Sequence, residues 1–352
     1  LTALVSLSVV SAESQTLPRA SASSKASTPA TETVQRPPDR HPNLQGTWNR
    51  ATLTSMERPA AFAGRVTVSE AEAKDFARKN ISDNGMDGAV AGTGPYNRVI
   101  SYNDFWIDRG TMLTRINGEY RTSLIVDPPD GKIPPLTAAA KERLATHGHG
   151  PGSADVGCAP ELSCADNPED RPLSERCLLG VGTPAGPPSL SGAYNNMTQI
   201  VHTEDFVMLL TEMNHDARII PFNRPHLPSD IKQWMGDSVA RWEGDTLVIE
   251  TTNMRDDVRL LAQGGLSFLR RASEALRVTE RLRRVGAETL VYRFTIEDAN
   301  TWTRPWTGET AWVKTDEPLL EYACHEGNYA LGDIMRGART LEKEAAERVK
   351  TK

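Results

Sequence analysis

From Ala193 onward, short apolar and β-branched runs recur at hairpin spacing: Asn196–His202, Phe206–Met213, Arg218–Phe222, Ser238–Trp242, Thr246–Thr252, Ala275–Arg284, Thr289–Glu297, Thr310–Lys314 and Leu319–His325. Gly244-Asp245, Gly286-Ala287 and Asp316-Glu317-Pro318 punctuate them, as turn residues do between antiparallel strands. The pattern predicts a mainly β fold: an antiparallel β-barrel or strongly curved sheet of lipocalin-like architecture. A few short helices, at Ser229–Trp234 and Gly265–Arg271, are placed at its periphery. The tail from Tyr329 to Lys350 reads as a mostly polar helix lying on the surface.

Upstream, Leu44–Asn49 reads as a strand, and Ser69 with Glu72 has the spacing of a capping box that opens a helix to about Asn80. Arg98–Asp108, Thr111–Asn117 and Tyr120–Asp127 read as a meander, stopped by Pro128-Pro129-Asp130-Gly131. A helix over Thr137–Thr146 leads into residues 147–173, a Gly/Pro/Asp-rich long loop or insertion. The first 12 residues are apolar and end in small side chains, like the remnant of a signal peptide. Residues 13–40 are Ser/Thr/Ala/Pro-rich without an aromatic, which reads as a disordered tether. One β-rich domain, 41–352, follows.

Composition narrows the partners. With 40 Lys+Arg against 46 Asp+Glu, the formal net charge of −6 supplies no basic field for nucleic acid or an anionic membrane. A mean hydropathy of −0.45 argues against integral membrane spans. Four Cys in an exported chain are expected to be oxidised, and of three pairings Cys158–Cys164 with Cys177–Cys324 is the simplest. The chain is therefore placed in the periplasm or outside the cell. No Gly-rich dinucleotide or phosphate loop, no zinc-ligand spacing and no Gly-x-Ser-x-Gly elbow occurs, so no cofactor and no metal is assigned.

Strand parity then sorts the candidate chemistry. Within Ala275–Arg284, Glu280 shares a face with Leu276, Val278 and Leu282, where a carboxylate is costly unless paired, hydrogen-bonded or protonated. Two readings stand: a structural carboxylate that meets an Arg or a Trp N–H or faces water in an open barrel, or an acid/base group with His325 as its partner and Arg241 as the anchor for an anion. Glu212, His215 and Asp216 form either a rim site or a polar turn. Trp302 and Trp306, with Trp312, gather three of the seven tryptophans into a ligand platform or a packed corner. Trp234 and Trp242, flanking Asp237 and Arg241, either close one mouth of the barrel or surround an Asp237–Arg241 ion pair that pins a turn.

Several blocks, among them NPEDRPLSERC (167–177), WMGDSVARWEGDTLVIETTNM (234–254), LRVTERLRRV (276–285), EDANTWTRPWT (297–307) and YACHEGNY (322–329), occur in order. Through them the chain resembles a family of uncharacterised secreted bacterial proteins. The resemblance implies export and assigns no reaction; residues 148–164 depart from it and read as an insertion. The functional expectation is a small apolar or aromatic molecule bound in a β-barrel pocket. The alternatives are a cofactor-free acid/base enzyme using Glu280 and His325, and an envelope-associated structural protein.

Overall fold

The alternation seen in the sequence becomes one long antiparallel sheet. The computed structural model describes residues 41–84, 108–146, 165, 167–171, 173, 175–179, 186–192, 194–255 and 272–350. In chain order the elements are β1 (Gly46–Asn49), β2 (Thr67–Val68), α1 (Glu70–Asn84), β3 (Arg115–Ile116), β4 (Glu119–Arg121), β5 (Ile125–Asp127) and α2 (Ala138–Thr146). They continue with β6 (Met197–His202), β7 (Phe206–Thr211), β8 (Ala217–Pro221), β9 (Asp237–Glu243), β10 (Thr246–Thr252), β11 (Arg277–Arg284), β12 (Thr289–Glu297), β13 (Trp306–Thr315) and α3 (Tyr329–Lys350). The large sheet runs β8-β7-β6-β1-β13-β12-β11-β10-β9, with β5 paired to β13; β2-β4-β3 form a separate small sheet.

One face of the long sheet supplies the core. Parity places Val278, Glu280 and Leu282 of β11 beside Tyr292, Phe294 and Ile296 of β12, with Glu280 directly opposite Phe294. Trp48, Trp302, Trp306 and Trp312 join Leu247, Ile249, Ile200 and Leu209 in the same cluster. Each such large apolar side chain contributes roughly 1.5–3 kcal/mol by burial. Gly308 is required here: an added Cβ would lie 2.2 Å from the Phe294 ring. The capping box at α1 forms as its spacing predicts, with Ser69 Oγ accepting from the Glu72 N–H and Glu72 Oε2 accepting from the Ser69 N–H at 3.0 Å.

The sheet is curved but does not close into a barrel. Its end strands β8 and β9 meet at a single parallel bridge, Phe222 with Ala240, where the Asn223 N–H donates to the Ala240 carbonyl at 2.9 Å. The next step of a parallel ladder would need an N–H from residue 221 for the carbonyl of Ser238, and Pro221 has none. From that point toward the start of β8, no further bridge joins the two strands among the described residues.

Three further expectations change. Leu319–His325 is irregular chain and turn rather than a strand, because β13 is already flanked by β12 on one edge and by β1 and β5 on the other. Ser229–Trp234 is not a helix: the Gln233 N–H goes to the Asn253 carbonyl at 3.0 Å instead of to a residue one turn back. Tyr120–Asp127 splits, β4 entering the small sheet and β5 the large one. The surface helix α3 is present and buries no residue. The expectations for residues 1–40, for the strand at 98–107, for Gly265–Arg271 and for Cys158–Cys164 lie outside the described residues.

Candidate ligand-binding groove

Glu280 is fully buried, and its partner is Arg218 from β8. The guanidinium grips the carboxylate with both ends, Nη1 to Oε1 at 3.1 Å and Nη2 to Oε2 at 2.6 Å. Nη2 also reaches Ser238 Oγ of β9 at 3.1 Å and Thr251 Oγ1 of β10 at 3.3 Å. Tyr292 of β12 donates its hydroxyl to Glu280 Oε1 at 2.7 Å and accepts the Ser189 N–H at 2.8 Å. Burial, and then the negative charge of Glu280, push the Tyr292 phenol well above its ordinary pKa, so it stays a donor. Side chains from β8, β9, β10, β11 and β12 are thus joined across the inside of the sheet, beneath the stretch where the main-chain ladder is missing. Arg218 closes with side-chain bonds what Pro221 prevents the backbone from closing.

Above this network lies a half-open groove of about 420 Å³ between β8 and the segment 232–238. Arg218 and Ser238 line its inner side, Ile219 one wall, and Lys232, Trp234 and Arg255 the other. The Arg255 guanidinium carbon sits 4.1 Å from the Trp234 ring centroid, a cation–π contact that fixes the indole plane. Gly236, at φ 73°, lets this wall approach β10, since a Cβ there would fall 2.6 Å from the Thr252 carbonyl oxygen. Asp237, the one carboxylate among the described residues lining the groove, is engaged from behind: its Oδ2 accepts the His226 Nδ1–H at 2.6 Å and the Leu227 N–H at 2.9 Å. His226 Nε2 in turn lies 3.4 Å from Glu250.

Trp234 and Asp237 therefore share a site, and Glu280 lies behind its inner wall through Arg218. The other candidate residues are elsewhere. His325 is exposed in the turn after Cys324 and makes no hydrogen bond to Glu280, so the expected acid/base pair does not assemble. Arg241 lies on the outer face of β9, paired with Glu243 at 2.8 Å, because its parity is opposite to that of Ser238 and Ala240. Glu212 and His215 hold the segment after β13: Glu212 Oε1 accepts the Leu320 N–H at 3.0 Å and His215 Nε2 lies 3.3 Å from the Leu320 carbonyl. Trp302 and Trp306 are buried edge to face with centroids 5.9 Å apart, which makes them core packing. Among the described residues no three His, Cys, Asp or Glu side chains converge as a metal site would need.

The Cys177–Cys324 disulfide is present, spanning 147 residues. Among the described residues no helix is long and apolar enough to cross a membrane. A second buried cation, Arg50, escaped the sequence reading altogether. Its Nε donates to the Asn196 carbonyl at 3.1 Å, and burial lowers its pKa to about 10, so it remains charged at neutral pH. Arg218 could have been found, because alternation with the buried Ile220 turns it inward.

Comparison of the chain with protein-family models, with curated proteins and with solved structures finds no match. The functional argument therefore rests on the groove itself.

Proposed function

We propose that this is an exported binding protein for a small apolar or aromatic molecule, and that the ligand lies in the seam groove between β8 and residues 232–238. The observation that carries this reading is the half-buried face of Trp234, held by Arg255, over an opening in a sheet whose interior is otherwise filled by aromatic side chains. The lipocalin-like barrel reading is kept in modified form: a curved sheet closed on one stretch by the Phe222–Ala240 bridge and on the next by Arg218, with the ligand at the seam rather than along the axis. Export is supported by the disulfide. The resemblance to secreted bacterial proteins agrees with it.

The acid/base reading is not favoured by the geometry, because Glu280 is sealed and already accepts from two donors, Arg218 and Tyr292. A thermal-shift screen with indole-3-acetate, 2-naphthoate and cinnamate tests the binding reading. A rise in Tm that disappears in Trp234→Ala, with that variant's own Tm unchanged, is the expected result. No shift with any of them, or a shift equal in Trp234→Ala, would remove the groove as the site.

A further inference from the structure

Two exposed apolar surfaces stand out among the described residues. The first is the outer face of β6, β7 and β8. Alternation turns Ile200, Val207, Leu209 and Ile220 into the core, so their neighbours point outward. Register then sets Val201, Met208 and Ile219 side by side across the three strands, with Phe206 beside Pro221 in one adjoining row and Leu210 in the other. Ile219 is 66% exposed and Phe206 is exposed too, while Val201, Met208 and Leu210 are half-buried. No outward residue of these strands carries a charge. Over β9–β13 the outer face instead carries ion pairs, Arg281–Glu243 at 2.6 Å and Arg293–Glu309 at 3.5 Å among them. An apolar patch set beside such a charged surface marks an interaction site.

The second surface is the far half of α3. Leu331, Ile334, Met335 and Ala338 are half-buried, whereas every residue from Leu341 to Lys350 is exposed, so the second half of the helix stands off as an arm. Leu341, Ala345 and Val349 continue at helical spacing the stripe begun by Ile334 and Ala338, and Leu341 and Val349 are 63% and 76% exposed. Glu342 interrupts the stripe and is paired with Arg339 at 2.7 Å. Such a stripe is stabilised by burial against another element. Charge narrows the choice of element. Along the arm Glu342, Glu344 and Glu347 balance Lys343, Arg348 and Lys350, whereas a helix suited to an anionic membrane is rich in Lys and Arg. An uncharged protein face is the better match.

The outer face of β6–β8 has that polarity, and its length fits. At helical rise Ala338–Val349 is about 18 Å long, and the six-residue strands β6 and β7 are about 20 Å. Within one chain the helix is held elsewhere: Asn328 Nδ2 donates to the Glu175 carbonyl at 2.6 Å, Arg339 Nη2 donates to the Ala165 carbonyl at 2.7 Å, and the Cys177–Cys324 disulfide secures the chain just before it. The arm accordingly lies off its own β6–β8 face, and the same face of a second copy is the fitting occupant. We infer that the chain forms a two-fold dimer in which the α3 arm of each copy lies along the outer β6–β8 face of the other. Every copy carries both surfaces, so this reciprocal exchange buries two arms and two faces at once and closes without leading to fibres.

Sedimentation velocity on the full chain should show a species of twice the 38.6 kDa chain mass whose share grows with concentration. Leu341→Glu on the arm and Ile219→Asp on the face each place a charge in the contact, and each should return the monomer. Both positions are exposed, so the fold should survive, and an unchanged circular dichroism spectrum checks that it does. Photoreactive benzoylphenylalanine in place of Val349 carries the same test without a charge. Irradiated in a mixture of isotope-labelled and unlabelled chain, it should cross-link to peptides of β6–β8 that bear the other label. A chain that stays monomeric at every concentration, a dimer that survives either charged substitution, or cross-links that run to α3 or stay within one chain would each overturn the dimer. A monomer that binds anionic vesicles and loses them in Leu341→Glu would assign the arm to a lipid surface and would equally overturn it.

Discussion

Replacing Glu280 by Gln keeps the shape of the side chain and removes the charge that Arg218 faces. Arg218 is only 4% exposed and the carboxylate is wholly buried, so solvent cannot replace the lost partner. The carboxylate accepts two bonds from Arg218 and one from Tyr292, whereas a Gln amide offers one acceptor oxygen and turns an NH₂ toward a cation or a phenol. Breaking one side of a buried ion pair costs about 3–5 kcal/mol. Against a typical total of about 5–15 kcal/mol, that is a large share of the stability. Arg218→Met should cost a similar amount, and Arg218→Met with Glu280→Leu should recover most of the loss, because apolar replacement of both partners removes the desolvation penalty. The assay is urea unfolding at pH 7 with the disulfide intact, followed by the fluorescence of the core tryptophans and evaluated as a double-mutant cycle. Single variants that each cost less than about 1 kcal/mol, as an exposed pair would, would refute the reasoning.

Other outcomes follow from particular residues. Pro221→Ala supplies the N–H that the Ser238 carbonyl lacks; a bond worth about 1 kcal/mol against about 0.4–1 kcal/mol of added chain entropy leaves stability nearly unchanged. Hydrogen exchange should show the new residue-221 amide protected and calorimetry should show weaker binding in the narrowed groove, whereas an unprotected amide would contradict the account of the seam. Reduction of Cys177–Cys324, which closes a span of 147 residues, should cost about 5 kcal/mol by the loop-entropy estimate, read as a lower urea midpoint under reducing agent. At α1 the Ser69 N–H, then Arg65, hold the Glu72 carboxyl at about 2, below its ordinary 4.5. A depressed carboxyl pKa contributes stability above the unfolded value that is lost as pH falls through the folded one. Amide protection at the start of α1 should therefore decline between about pH 4.5 and pH 2, and Glu72→Gln should remove that dependence.

How far the sequence carried the reading depends on the range of each interaction. The inward orientation of Glu280 was legible because Leu276, Val278 and Leu282 flank it at strand period, and the α1 cap because its partners are three residues apart. The partner of Glu280 was not legible, since Arg218 lies 62 residues away and meets it only when the sheet curls. The cluster of Trp302 and Trp306 suggested a platform, yet the Leu136–Trp302 bridge brings another segment alongside. The supposed last strand had the right composition but no vacant edge to join; Glu212, His215 and the Cys177–Cys324 bond secure it as irregular chain. Pro221 lines the groove and withholds one N–H from the seam, an effect that appears only when the register against β9 is known.

The open seam is tested most directly by amide exchange resolved residue by residue along β8. The account predicts alternation: Arg218 and Ile220, bonded to β7, are protected, while Ala217 and Ile219, facing the groove, exchange at rates close to those of unpaired chain. Uniform protection of all four amides would mean that β8 and β9 pair along their whole length, and would contradict it.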